Sequence, residues 1–349
     1  MVQGVNELKV AIHQNKKIFD HSTSWSKAWI DYCIQNNIDY EIVNCYENNI
    51  LQNLKNFDCL LWHFGNYVLP DMLFARSILN SAEQMGLKVF PDHNTSWHFD
   101  DKIAQMYLLQ SINAPIPDFW VFYTLGDCLK WIEDKAVFPL VAKLRSGSGS
   151  NNVKLVKNKI EAISYAKKMF SVGFNPSPKP LFKTKSNILS AKNFATFFHR
   201  FKRIPDFIET MISAKQFPNE KNYVFFQEFI PNGGFDIKII VVKDKLSYVC
   251  RKSRGNDFRA SGSGDLFYNQ KCVSENLIDS AFNISEKLNL QCMGYDFVVN
   301  NISGAGKIVE MSYGFSHVAL MGSNGYWDKK QIWNNDSLNA PNEALISLL

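Results

Sequence analysis

The 349-residue chain has no stretch approaching the roughly 18 uninterrupted apolar residues of a membrane-crossing helix, and its opening, MVQGVNELKVAIHQ, has no apolar leader core. Those absences predict a soluble, cytoplasmic protein. There is no C-x-x-C pair and no cysteine with a histidine at ligand spacing. The seven cysteines, Cys33, Cys45, Cys59, Cys128, Cys250, Cys272 and Cys292, are odd in number and scattered. This argues against a disulfide framework and against structural zinc, and Cys250 reads as a buried, inert thiol. No charge of either sign dominates: 38 Lys and Arg against 33 Asp and Glu leave +5, too mild an excess to argue for a nucleic-acid partner. Internal repeats are absent, and at 46% hydrophobic and 20% charged the composition is that of a folded globular chain of two to three domains.

What is present begins as α/β alternation. Between residues 8 and 90 the strands LKVAIHQ, YEIVN, FDCLLWHF and LKVFP are separated by helical patterns, the first opened by Ser24 with Trp25, Trp29 and Tyr32 on one face. Such alternation predicts a parallel sheet with crossover helices. Ligands of such sheets bind beyond the strand carboxyl ends, here near His13 to Asn15, His63 to Tyr67 and Asp92 to Asn94. His13 and His63 are either substrate-facing or ordinary strand-end residues.

A second unit begins near Ser96 with a capped helix, a turn carrying Pro115 and Pro117, and a strand. FPLVAKLRSGSGSNNVKLV then reads as strand, Gly/Ser loop, strand. Because that loop opens no helix, it is neither a dinucleotide fingerprint nor a P-loop; a hairpin flap is expected. Residues 171 to 205 hold no Asp or Glu but carry Lys179, Lys183, Lys185, Lys192, Arg200, Lys202 and Arg203 among six phenylalanines. Basic residues interleaved with aromatics suit a polyanion or an anionic membrane surface, and they equally suit an insertion whose rings pack on its own domain.

From Tyr223 the strands return: YVFFQEFIP, the hairpin FDIKIIVVKDKLSYVCRKS, the loop RGNDFRASGSGDLF, a helix near 274 to 289, and the strands CMGYDFVVN and GKIVEMSYG. The last two, joined by a short turn, would bring Asp296 and Glu310 to one sheet face, either as a hard-oxygen site suited to Mg²⁺ or as solvated charges. Beyond Asp328 the tail is polar and uninformative.

Taken in order, these features resemble the ATP-grasp superfamily: Asp101-Lys102 on a helix, Lys143 before the Gly/Ser flap, QEFI, Asp236 with Lys238, an Arg-bearing loop, then Asp296 and Glu310. The resemblance covers about residues 96 to 322 and is strongest to carboxylate-amine ligases such as ribosomal-protein glutamate ligases and glutathione synthetases, at QEFIPNGGFDIKIIVV, NDFRASGSG and GYDFVV with GKIVEMS. It implies an α/β ATP-grasp fold preceded by a Rossmann-like pre-ATP-grasp domain. The boundaries would be 1–95 for that domain, 96–226 for a lid-side subdomain with the basic insertion near 171–222, and 227–349 for a C-terminal subdomain with a Mg²⁺ site.

The resemblance also implies roles. Lys102 and Lys143 would face the phosphates of ATP, and Ser146, Gly147, Ser148, Gly149 and Ser150 would close over them. Gln227, Glu228, Phe229 and Ile230 would line the adenine, and Asp236 would lie near the ribose. Asp296, Glu310 and Ser312 would hold Mg²⁺, with Arg251, Arg259 and Lys238 as the cations that serve phosphoryl transfer and Arg254 either a substrate clamp or a surface residue. Two positions depart from the family pattern. Ser312 stands where an Asn is usual, and Lys238 where an Arg is common.

The reaction so implied is phosphorylation of a carboxylate to an acyl phosphate, which an amine displaces to give an amide, ADP and phosphate. The aromatics Trp62, Tyr67 and Trp97 suggest a bulky or sugar-bearing substrate, such as a uronic acid or a peptide precursor of a surface polymer, over a small free amino acid. The N-terminal loops, the 171–205 insertion and SYGFSH would meet the acid or amine, with His317 either a substrate contact or a satisfied structural histidine. Two rivals are a nucleotide-binding interaction protein without turnover and an ATP-grasp kinase that phosphorylates a hydroxyl. No transmembrane segment or nucleic-acid partner is expected; peripheral membrane contact would run through 171–205.

Overall fold

The computed structural model describes residues 8–14, 23–66, 68–147, 149, 152–176, 217–253, 258–259 and 265–349. Tyr67, Ser148, Ser150, Arg254 and the basic stretch from 177 to 216 lie outside the described residues. Two compact units are present: Met1–Gly65, Pro70–Ile116 and Ile230–Leu349 form one, and Asn66–Leu69 with Pro117–Phe229 form the other.

The first unit opens with the strands β1 (Lys9–His13), β2 (Asp39–Val43), β3 (Cys59–Leu61) and β4 (Lys88–Phe90), all parallel and in the order β2-β1-β3-β4. Val10, Ala11, Ile12, Cys59, Leu60 and Leu61 are fully buried, as short central strands covered by helices must be. The helix Trp25–Gln35 starts where Ser24 accepts the Lys27 amide, and its buried positions Trp25, Trp29, Ile30 and Cys33 form one stripe at helical spacing.

The second unit is a four-stranded antiparallel sheet in the order β5-β8-β6-β7, built from β5 (Phe119–Phe122), β6 (Leu140–Lys143), β7 (Lys154–Val156) and β8 (Val224–Glu228). The helices Leu125–Asp134 and Lys159–Met169 close its core through Cys128, Ile132, Ala162, Tyr165, Ala166 and Met169 against Leu140, Ala142, Val224 and Phe226.

The first unit resumes as an antiparallel sheet of β9 (Phe235–Val242), β10 (Lys245–Lys252), β11 (Leu266–Phe267), β12 (Cys292–Val299), β13 (Gly306–Ser312), β14 (Tyr326–Asp328) and β15 (Trp333–Asn334). The order is β13-β12-β9-β10-β14-β15, with β11 on β10. The chain beyond Asp328, uninformative as sequence, carries a strand and a helix. β15 pairs with β14, and in the helix Ala340–Ile346 the Pro341 carbonyl accepts the Trp29 indole N–H at 2.8 Å.

Both sheets of this unit meet over aromatic side chains. His63 stacks on Trp25 with ring centroids 4.4 Å apart, and Phe315 and His317 meet the edge of the same indole. The Tyr313 hydroxyl donates to the Phe64 carbonyl at 2.9 Å with both residues buried. Trp62, expected as a ring for stacking on a substrate, is instead fully buried against His13 and Tyr46. It sits one residue beyond β3, where its apolar area is worth more in the core than in a solvent-facing loop. Trp97 is 40% exposed. Tyr313→Phe should lower unfolding stability by about 1–3 kcal/mol, because the Phe64 carbonyl loses a buried donor; an unchanged urea midpoint would show that this bond contributes nothing.

Among the described residues no helix is long and apolar enough to cross a membrane.

Candidate functional site

Strand register assembles a row of charges on one face of the antiparallel sheet. Asp236 and Lys238 are two apart on β9 and so share a face; Arg251 of β10 is opposite Asp236, Asp296 of β12 is opposite Lys238, and Glu310 of β13 is opposite Asp296. A register shift follows Asp296, so that Phe297 pairs with Ile308 and Val309 is the extra residue. Such a bulge re-aims the side chains beside it, here directly adjoining Glu310. Ser312, two residues further, pairs with Gly294. A Cβ at Gly294 would lie 3.1 Å from the Ser312 carbonyl oxygen, so a larger residue would crowd the β12–β13 pairing here.

The charges interlock. Arg251 Nε donates to Asp236 Oδ1 at 2.6 Å and its Nη2 to Oδ2 at 2.9 Å, a two-pronged pair. The same Nη2 lies 3.0 Å from Asp296 Oδ2, and Lys238 Nζ meets Asp296 Oδ1. Lys102, 3% exposed at the start of the helix Lys102–Ser111, lies 3.4 Å from Glu310 Oε1. The Asp101 side chain caps that helix by accepting the Ala104 amide, and Gln105 Oε1 accepts the Met311 amide at 3.2 Å, fixing the helix against β13.

These neighbours set the protonation states. Burial raises the Asp296 carboxyl, but Arg251 and Lys238 outweigh it and hold the group down at about 2. Asp236 moves the other way, to about 6, because burial and the nearby Asp296 charge exceed the help of Arg251. Arg251 is held charged more firmly than usual: burial opposes this, and the two carboxylates overcome it. Cys250, between these residues in sequence but on the opposite face of β10, is fully buried, and burial pushes its thiol up to about 12. It is inert, as expected.

Asp296, Glu310 and Ser312 offer only hard oxygen donors, with Asp296 kept ionised, and that donor chemistry fits Mg²⁺. Ser312 Oγ accepts the Gly314 amide at 3.0 Å, so its hydroxyl is engaged locally. Among the described residues no group of three His, Cys, Asp or Glu could hold a metal. A cation at the two carboxylates therefore needs further oxygens from a ligand or water. Arg259 is half-buried on the loop after β10.

Apart from Ile230 of the first unit, the second unit carries the remaining expected residues. Lys143 ends β6 and is 5% exposed. The loop that follows connects two antiparallel strands, β6 and β7. Gly147 there has φ +100° and Gly149 φ +66°, values that favour glycine. Gln227 is buried in β8, while the Glu228 amide donates to the Asp118 carbonyl at 2.8 Å and its Oε2 accepts the Asp118 amide at 3.2 Å. Phe229 is half-buried and Ile230 buried.

His13 is buried and accepts the Cys45 amide at Nδ1, 3.1 Å away, which ties it to the turn after β2. Three participants gave no sequence signal: Gln105, Glu220 and Tyr223. The carboxylate of Glu220 receives Arg145 and Ser146 across 74 or more residues, a separation at which no spacing rule operates.

No protein-family model and no curated protein matches the sequence. Solved structures do resemble it. An ATP-grasp ligase, PsnB, in complex with a minimal precursor is similar over 99% of both chains at TM-score 0.56 and 12% identity. D-alanine–D-alanine ligase from Bacillus anthracis in complex with ATP is similar over 91% of both chains, at TM-score 0.54 and 13% identity. A RimK domain ATP-grasp protein from Sphaerobacter thermophilus is similar over 90% of this chain and 95% of its own, at TM-score 0.53 and 14% identity. The element order, the antiparallel sheets and these near full-length likenesses agree: the chain has the ATP-grasp fold.

Proposed function

We propose that this chain is an ATP-dependent ligase that phosphorylates a substrate carboxylate and joins it to an amine, releasing ADP and phosphate. The observation that carries this reading is the interlocked row of Asp236, Arg251, Asp296, Lys238 and Glu310 on one sheet face, met by Lys102 from the helix Lys102–Ser111. Asp296 and Glu310, with Ser312 beside them, hold Mg²⁺, which when bound neutralises polyphosphate charge. Lys102 and, in the second unit, Lys143 and the β6–β7 loop serve the phosphates; Gln227 to Ile230 serve the adenine.

Phosphoryl transfer depends mainly on positioning and charge neutralisation. Arg251 contributes by holding Asp236 and Asp296 in place. Lys238 balances Asp296, and Arg259 is the cation assigned to the transferring group. A ligase of this kind draws on the cytoplasmic ATP pool.

For the acid, a peptide carboxylate is favoured over a sugar acid. Trp62 is in the core and not offered for stacking on a sugar, and the full-length likeness includes a ligase solved with a precursor peptide. A precursor of a surface polymer is one such peptide.

The test is a thermal-shift titration with ATP. At a hundredfold excess over Kd, Mg²⁺ and ATP together should raise the wild-type midpoint by about 4 °C, and EDTA or Glu310→Gln should abolish the rise. Hydroxylamine should then trap a hydroxamate when the acid is supplied. No rise under any condition refutes the nucleotide assignment; a rise with no ADP release for any acid favours binding without turnover; and ADP release without a hydroxamate favours a kinase.

A further inference from the structure

The loop between β6 and β7 is tied at its entry by one acidic side chain outside the row of charges described above. Glu220 Oε1 accepts the Ser146 amide at 3.1 Å and also meets the Ser146 hydroxyl; Oε2 accepts the Arg145 amide at 3.0 Å and meets the Tyr223 hydroxyl. The Tyr223 oxygen in turn accepts the Arg145 amide at 2.7 Å. Four donors therefore converge on the two oxygens of a single carboxylate.

Glu220 is placed by its own backbone. It forms a reciprocal bridge with Phe174, with N–O distances of 3.0 and 2.9 Å. The approach is so close that a Cβ on Gly173, at φ +68°, would lie 2.2 Å from the Glu220 carbonyl oxygen. Asn175 Nδ2 donates to the Phe217 carbonyl at 2.9 Å, and Asn219 Nδ2 to the Val172 carbonyl at 3.1 Å. Residues 172–176 and 217–220 thus form a paired neck on either side of the segment 177–216.

The far end of the loop meets the same neck. Asn152 Nδ2 donates to the carbonyls of Asn175 and Pro176 at 3.2 and 2.9 Å. At the near end, a Cβ on Gly147 would lie 2.9 Å from the Pro176 oxygen. Both ends of the loop are therefore anchored on one hydrogen-bonded neck.

We propose that Glu220 is a positioning residue for the β6–β7 loop, holding its first two amides in place and coupling the loop to the neck of the 177–216 segment. This rests on the reading of that loop as one that meets phosphate. A glutamine cannot replace the carboxylate here, because its NH₂ group would face a donor on one side and its single oxygen could serve only the other. Charge-assisted bonds to backbone amides are also about twice as strong as neutral ones. Glu220→Gln should therefore loosen the loop's entry while leaving the sheet intact.

Hydrogen exchange and nucleotide affinity together test this, on the full chain with Glu220→Gln, Tyr223→Phe and Asn152→Ala. Without nucleotide, Glu220→Gln should speed exchange of the Arg145 and Ser146 amides about tenfold, with the other two variants changing it in the same direction by less. With Mg²⁺, its Kd for ATP should rise about tenfold, while the melting temperature without nucleotide stays within about 2 °C. Unchanged exchange and unchanged Kd in Glu220→Gln overturn the proposal, as does accelerated exchange spread over the whole second unit, which would make Glu220 a general stabilising residue. If the wild type binds no ATP but exchange rises locally in Glu220→Gln, the clamp stands and the ligase reading falls.

Discussion

Asp296→Asn should cost about 3–5 kcal/mol of folding stability, the amount expected when one member of a buried ion-pair network is neutralised. Asp296 is 6% exposed, lies between Lys238 and Arg251, and is the carboxylate both cations approach. With Asn in its place, Arg251 retains Asp236, but Lys238 loses the carboxylate it meets in a half-buried site on the sheet face. Glu310→Gln provides the contrast. Its carboxylate is 30% exposed and its cation, Lys102, stands at 3.4 Å, so the expected loss is below about 1 kcal/mol. The pair of variants thus separates two positions of the row: the fold depends strongly on Asp296 and much less on Glu310. Urea unfolding of both variants without nucleotide measures this, and equal losses would contradict the assignment.

Acidification from pH 7 to pH 5 should remove about 4 kcal/mol of stability. Burial lowers the imidazoles of His63 to about 3, His98 to about 4 and His317 to about 4, with His317 adding to the effect at His63 and Arg76 to that at His98. All three are thus neutral in the folded state at pH 5, while in the unfolded chain they bind protons below their ordinary value near 6.5. The unfolded state therefore takes up more protons, and stability falls as the pH drops below about 6.5. Asp236 works in the opposite direction. Its folded value near 6 exceeds its unfolded one, so acidification returns a little over 1 kcal/mol, which the net figure includes. Asp296, at about 2, adds its own loss only below about pH 4. Equal urea midpoints at pH 7 and pH 5 would show that these histidines are not held neutral in the folded protein.

Much of this architecture was legible in residue order. The α/β alternation before residue 90, the Gly/Ser loop between two strands, and the hairpin carrying Asp296 and Glu310 each follow from local rules: period-two apolar runs, capping at Ser24 and Asp101, and glycine where φ is positive. Such rules act over a few residues, so one chain states them directly. The chain beyond Asp328 was uninformative as sequence because its strand and helix are short. The strand pairs with its hairpin neighbour β14, and the helix is held by Trp29, 312 residues away in sequence.

The charged row marks the limit of the same logic. That Asp236, Lys238, Arg251, Asp296 and Glu310 exist and are chemically suited to a phosphate and a divalent cation could be read from the sequence. Which cation neutralises which carboxylate could not, because that depends on the register of four strands and on a bulge at Val309. Trp62 had the residue type of a ligand platform, and its burial assigned it to the core. Glu220 reaches the β6–β7 loop across more than 70 residues and a long insertion. Residue identity and local periodicity therefore set the fold class and the chemical inventory of this protein. Pairing, burial and protonation were set by tertiary contacts, because electrostatic and packing energies depend on distances in space, and distance along the chain does not encode them.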